Sequence, residues 1–157
     1  MKSAKDVGLM AVFAALYASL VYAFAPISFY ALQFRVAGAI RPMIARKWFL
    51  SLGYALGVAV GNIFSPYAGP YELVFMPIMS LIAGVLGFVV AKKFKKSYFV
   101  AGAVIATVIA ISVSWMLSQF GSPMLATLPY LMISEQIICI LGAFTLKFID
   151  TRFRWWE

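Results

Sequence analysis

Five apolar stretches dominate the chain, at residues 7–25, 48–64, 73–91, 98–120 and 130–148. Each is close to the roughly 20 residues that an α-helix needs to cross a ~30 Å hydrocarbon core. Residues 26–47 lie between the first two stretches, and within them residues 35–46 are apolar enough for a sixth helix. At 1.5 Å per residue that helix is about 18 Å long, a short second crossing. The pattern predicts an all-α integral membrane protein with six transmembrane helices, and no separate soluble domain fits beside them, so residues 1–157 form a single domain.

The direction of threading follows from the cations. Lys2 and Lys5, Arg46 and Lys47, Lys92, Lys93, Lys95 and Lys96, and Lys147, Arg152 and Arg154 account for eleven of the 13 Lys and Arg residues. The intervening connections, residues 26–34, 65–72 and 121–129, carry none. Because Lys and Arg are retained on the cytoplasmic side, this alternation predicts that the short helix crosses and that both termini are cytoplasmic. Lys2 and Lys5 ahead of an apolar run resemble a secretory leader, but Pro26 would follow the cleavage point, so the run is read as the first span. The five-residue run around Lys92–Lys96 needs no role beyond orientation. Arg41 lies inside the short helix beside Pro42 and is expected to snorkel or to pair, since a charge at the bilayer centre costs about 2.5–3.5 kcal/mol.

Composition narrows the chemistry. The chain is 64% hydrophobic and 11% charged, with a mean hydropathy of +0.97. A soluble domain carries about 25% charge. The net charge of +8 sits at helix ends, which argues for orientation and against nucleic acid as a partner. With no His and only Cys139, imidazole acid–base chemistry, disulfides and histidine-containing zinc sites are excluded. No metal site, cofactor or enzymatic activity is expected. No G-x-x-x-x-G-K-[ST] loop is present, so any ATP-driven work needs a partner.

Three of the five acids, Asp6, Asp150 and Glu157, belong to the cytoplasmic ends. Glu72 opens the fourth span and Glu135 falls inside the last, five residues beyond Tyr130, about 7–8 Å deep. An intramembrane carboxylate must face the bundle interior or a wet cavity, so Glu135 is the leading candidate ligand contact, with Glu72 second. A pair with Arg35 or Arg41 is the structural alternative. Gln33, Asn62, Ser65, Gln119, Ser134 and Gln136 are expected near the same level, with Tyr30, Phe34, Tyr71, Trp115 and Phe120 among the aromatics. Such a set suits a flat heterocycle, which needs aromatic faces and a few placed polar groups at its edge. Prolines 26, 66, 70, 123 and 129 punctuate the outer connections and stiffen them. Gly53, Gly57 and Gly61 form one small-residue face and Ala11, Ala15 and Ala18 another, each suited to close helix packing within the bundle or against a partner.

The segments Ala25-Pro26-Ile27-Ser28, Gln33-Phe34-Arg35-Val36 and Gly61-Asn62-Ile63-Phe64-Ser65-Pro66 resemble the QueT family of queuosine-precursor transporters. These look like substrate-binding S components of energy-coupling factor (ECF) transporters, six-helix proteins that capture a vitamin-like ligand and depend on a coupling transmembrane subunit and two ATPase subunits. The resemblance covers most of the chain. It implies a purine-like 7-deazaguanine substrate, a site drawn from Glu135, Glu72, Asn62, Gln33, Arg35, Phe34 and Tyr71, and a coupling-subunit docking face at Ala11, Ala15 and Ala18. It also implies residence in the cell membrane of a prokaryote. Ser134-Glu135 is similar to the Gly-Glu pair that opens the family's last helix. The chain departs from the family at Ala37-Gly38, where an acid is expected, and lacks the Asn of the fifth helix. A stand-alone secondary carrier for a small heterocyclic or vitamin-like solute, driven by protons through Glu135, is the alternative reading.

Overall fold

The computed structural model describes residues 3–29 and 34–156, and every described regular element is helical. The elements are α1 (Ala4–Ala23), α2 (Ala25–Phe29), α3 (Val36–Ala45), α4 (Leu50–Asn62), α5 (Tyr71–Lys93), α6 (Tyr98–Ser118) and α7 (Met124–Asp150). Helices α1, α5, α6 and α7 are long and apolar enough to cross a membrane, whereas α3 and α4 are shorter apolar helices. The Ser3 hydroxyl caps α1 by accepting from the Asp6 amide, and Asp6 lies in its positively polarised first turn.

Contacts between helices fix the topology. A Cβ built on Gly53, Gly57 or Gly61 of α4 would meet Met10, Ala14 or Val21 of α1 respectively, all within about 3 Å. Both series ascend together, so α1 and α4 run parallel in close contact, and the chain between them must return. That return is α3. The glycine face is therefore spent inside the bundle, on the side of α1 that buries Phe13, Tyr17 and Val21. Helices α5 and α6 are antiparallel neighbours, with Gly87 against Ile105 and Ala101. Helix α7 returns along α6, placing Phe144 on Phe99 at 4.9 Å between centroids and Asp150 beside Tyr98.

Two ends result. At one, Arg46 pairs with Asp150 at 2.9 Å, and Tyr98 hydrogen-bonds both Asp150 and Trp155. The α5–α6 turn with its four lysines closes the same end. At the other, Tyr22 packs on Phe64, and Tyr67, Tyr71, Trp115 and Phe120 form one aromatic group. The lysine-rich and aromatic ends thus separate as the charge pattern requires.

Helix α3 differs from expectation in its winding. It is a ten-residue 3₁₀ helix. At ~2.0 Å per residue it reaches about 20 Å, longer than the same residues would as an α-helix. Pro42 favours this departure, since it supplies no N–H to the preceding turn. The Gly38 carbonyl accepts from the Cys139 thiol at 3.6 Å, tying α3 to α7. Small residues let α3 lie deep in the bundle: a Cβ on Gly142 of α7 would fall 1.9 Å from the Ala39 carbonyl oxygen, so only glycine permits this approach.

The last helix also corrects the sequence reading. It begins at Met124, so Pro129 lies within its second turn and does not close a loop. Likewise residues 26–29, expected as connection, belong to a short helix, α2, that starts at Ala25. Glu135 is consequently the twelfth residue of a 27-residue helix, and Ser134-Glu135 stands at its middle instead of opening it.

Candidate functional site

Two polar loci occupy the interior. The deeper one is built around Arg41, which is wholly buried. Its guanidinium pairs with the Glu135 carboxylate, donates to the Tyr17 hydroxyl at 3.1 Å and lies 5.4 Å from the Tyr54 ring centroid. Four elements, α1, α3, α4 and α7, meet there. Each local sequence explains its contribution: Tyr17 follows Phe13 at helical spacing on the buried face of α1, and Gly38 keeps the path from α3 to α7 open. A buried charge needs a partner and hydrogen bonds to offset its desolvation, and Arg41 and Glu135 give each other both. Of the two pairs the sequence allows for Glu135, the Arg41 pair is the one formed.

The second locus lies toward the aromatic end and is organised by Pro77. In an α-helix the Glu72 carbonyl would accept from the Met76 amide, but that amide bonds to the Tyr71 carbonyl, widening the first turn of α5 over Tyr71–Phe75 into a π-helix. The next N–H in a π pattern would belong to residue 77, and proline has none. The Glu72 carbonyl is left over, and Asn62, the buried last residue of α4, satisfies it through Nδ2 at 3.0 Å. Since Nδ2 is spent as the donor, Oδ1 of Asn62 is fixed as an acceptor. Neither this oxygen nor Oε2 of Glu72 has a hydrogen-bond partner among the described residues, though both are buried. Wide π turns recur at functional sites, and paired buried acceptors without donors are rare in folded proteins.

Arg35 caps the first turn of α3 near this locus. It is buried, lies 5.3 Å from the Phe29 ring centroid and is within electrostatic reach of Glu72, Tyr17 and Glu135, with no carboxylate at ion-pairing distance among the described residues. Phe34 is half-buried and its amide donates to the Ile27 carbonyl at 2.8 Å. Tyr71 is partly exposed and packs edge-on against Trp115 and Phe120 at about 6 Å, while Phe75 packs on Trp115 at 4.8 Å. Gln33 and Tyr30 lie outside the described residues. Among the described residues Gln119 binds its neighbours Trp115 and Ser118, and Gln136 reaches the Ala103 carbonyl and Thr107 on α6, so neither joins the acceptors. Tyr17, Tyr54 and Ser80 are interior polar residues absent from the sequence-based set, and the Ser80 hydroxyl is also buried without a partner. No group of three His, Cys, Asp or Glu suited to a metal ion occurs among the described residues.

On the outside of α1, Ala11 and Ala15 are exposed and Ala18 is half-buried. Ala18 lines the groove between α1 and α4 together with Val60 and Phe64, whereas Ala11 and Ala15 lie farther round α1 from the Met10, Ala14 and Val21 surface. The two small-residue faces therefore part company: the glycines pack within the bundle, Ala11 and Ala15 look outward, and Ala18 stands at the edge between them.

No curated protein and no solved structure matches the chain. A family model described as QueT transporter matches residues 7–151, nearly its whole length. With its long apolar helices and buried polar loci, this multi-pass membrane protein belongs to the QueT transporter family.

Proposed function

We propose that the chain is the membrane substrate-binding subunit for uptake of a queuosine precursor, a 7-deazaguanine-like base, and that a partner module powers the cycle. In this reading all 157 residues act as one S component in a prokaryotic cell membrane, crossing six times with the lysine-rich end and both termini in the cytoplasm. The observation that carries it is the pair of buried, unclaimed acceptors, Glu72 Oε2 and Asn62 Oδ1. A guanine-like edge presents N1–H and an exocyclic amine as parallel donors, and a carboxylate accepts both in a charge-assisted pair. Glu72 is the carboxylate for this role, because that of Glu135 is engaged by Arg41. Asn62 reads a further donor, Phe34 and Tyr71 offer ring faces, Arg35 borders the base, and the Arg41–Glu135 pair forms the polar floor; Gln33 joins this set on the sequence resemblance alone. The alanines of α1, Ala11 and Ala15 outward and Ala18 at the edge of the α4 contact, are the docking face for an ECF coupling transmembrane subunit carrying two ATPase subunits.

Purification of the tagged chain from its native membrane tests this. Recovery of a 7-deazaguanine by mass spectrometry, together with one membrane subunit and two ATPases, is the expected result. Recovery of neither partner nor ligand, with uptake sustained by the chain alone, would instead establish a stand-alone carrier.

A further inference from the structure

The lysine-rich end holds features that orientation alone does not require. Lys95 and Lys96 both adopt left-handed backbone conformations, with φ of 54° and 57°. Non-glycine residues rarely do so, least of all in succession, and such conformations persist where surrounding structure or function demands them. Here the Lys96 amide bonds back to the Ala91 carbonyl at 2.8 Å, closing α5 and turning both lysines toward the start of α6. They meet Arg46, Ser97, Tyr98 and Lys147 around a pocket of about 160 Å³. Asp150 neutralises Arg46, but no carboxylate lies at ion-pairing distance from Lys95, Lys96 or Lys147 among the described residues. The Arg46 Nε is buried without a partner, and the Ser97 hydroxyl makes no capping bond to α6, whose free amide groups begin there. Three uncompensated ammonium groups, a hydroxyl donor and a helix N-terminus around one concavity select an oxyanion. Phe94, exposed beside the lysines, and Trp156, 4.3 Å from the Arg46 guanidinium, are the aromatic neighbours expected at headgroup level.

We infer that this pocket binds the phosphate of an anionic phospholipid headgroup. Its cations come from three separate elements held together by the fold, so the site is tied to the assembled bundle and not merely to a basic loop.

Native mass spectrometry of the full chain in uncharged detergent tests the assignment, using phosphatidylglycerol, phosphatidylcholine and inorganic phosphate as probes. Phosphatidylglycerol should bind in preference to phosphatidylcholine. The double variant Lys96→Gln/Lys147→Gln should weaken it roughly thirtyfold, while Lys96→Arg/Lys147→Arg retains it and Lys92→Gln, outside the pocket, leaves it unchanged. Retention by the arginine pair guards against loss through misfolding. Equal binding of both lipids, or an effect of Lys92→Gln as large as that of the pocket pair, would overturn the site. Displacement of phosphatidylglycerol by inorganic phosphate at equal concentration would overturn the lipid assignment in favour of a soluble phosphate.

Discussion

Glu135 sits at the middle of α7 with a guanidinium on its carboxylate and a tyrosine hydroxyl on the far side of that guanidinium, whereas Glu72 sits in the π-wound start of α5 with one oxygen unclaimed. Both are buried to a similar degree in an apolar bundle, so burial alone does not distinguish them. What differs is the group left over: beside Glu135 it is a donor, the buried Nε of Arg41, and beside Glu72 it is a pair of acceptors. Around Glu135 the fold has matched charge to charge, and such a site resists change. Around Glu72, although Ser65 hydrogen-bonds the carboxylate, it has left one carboxylate oxygen and the Asn62 oxygen without donors, and such a site has a use for a donor-rich ligand. An acid inside a membrane helix marks a place where chemistry is concentrated; its partners show whether that chemistry is spent on structure or held for binding.

The comparison breaks most severely at Arg41. Arg41→Ala strands the Glu135 charge in the interior and is expected to lower stability by about 3–5 kcal/mol, read as a fall in thermal midpoint in detergent. Arg41→Met combined with Glu135→Leu removes both charges and should recover most of that loss; failure to recover would mean the pair holds more than each other's charge. Gly142→Ala comes next. Its Cβ would collide with the Ala39 carbonyl, forcing α3 away from α7 and stretching the Arg41–Glu135 contact, at a cost of about 1–3 kcal/mol. A stability equal to the parent would show that α3 is not wedged as described. Ala15→Trp, on the outward face of α1, should change stability by less than about 0.5 kcal/mol yet abolish assembly with a coupling subunit in a pull-down. If it unfolds the protein instead, that face belongs to the bundle. Cysteines at Ala68 and Ser97, introduced separately in a chain lacking Cys139, should leave folding unaltered and be labelled from outside the cell at Ala68 only. The reverse pattern would place Glu72 on the cytoplasmic side and remove it from an uptake site.

Much of this arrangement is legible in the sequence, because apolar length and Lys/Arg placement are local, additive signals. The helices near residues 7–25, 73–91 and 98–120 follow from them, as does a short helix inside residues 35–46. Its 3₁₀ winding does not, since it depends on Pro42 acting together with the Gly142 approach, a contact between residues a hundred positions apart. Pro129 reads as a boundary, yet α7 runs through it as an internal proline at the cost of one backbone hydrogen bond, and that misreading places Glu135 too near the surface. The choice between Arg35 and Arg41 as its partner is a matter of depth, which spacing alone cannot supply. The Glu72 locus carries a sequence signal of its own in Pro77, five residues on, which removes the donor that a widened first turn would need and hands the Glu72 carbonyl to Asn62.

The central claim is that Glu72 binds the donor edge of the substrate, and isothermal calorimetry with an aminomethyl-bearing 7-deazaguanine measures it directly. Hydrogen bonds to a charged group contribute roughly 1.5–3 kcal/mol, and Glu72→Gln both removes the charge and presents a donor to a donor. Affinity should fall by about a hundredfold with an unchanged thermal midpoint. An affinity equal to that of the parent chain, in a folded Glu72→Gln protein, would contradict it and move the binding site elsewhere in the bundle.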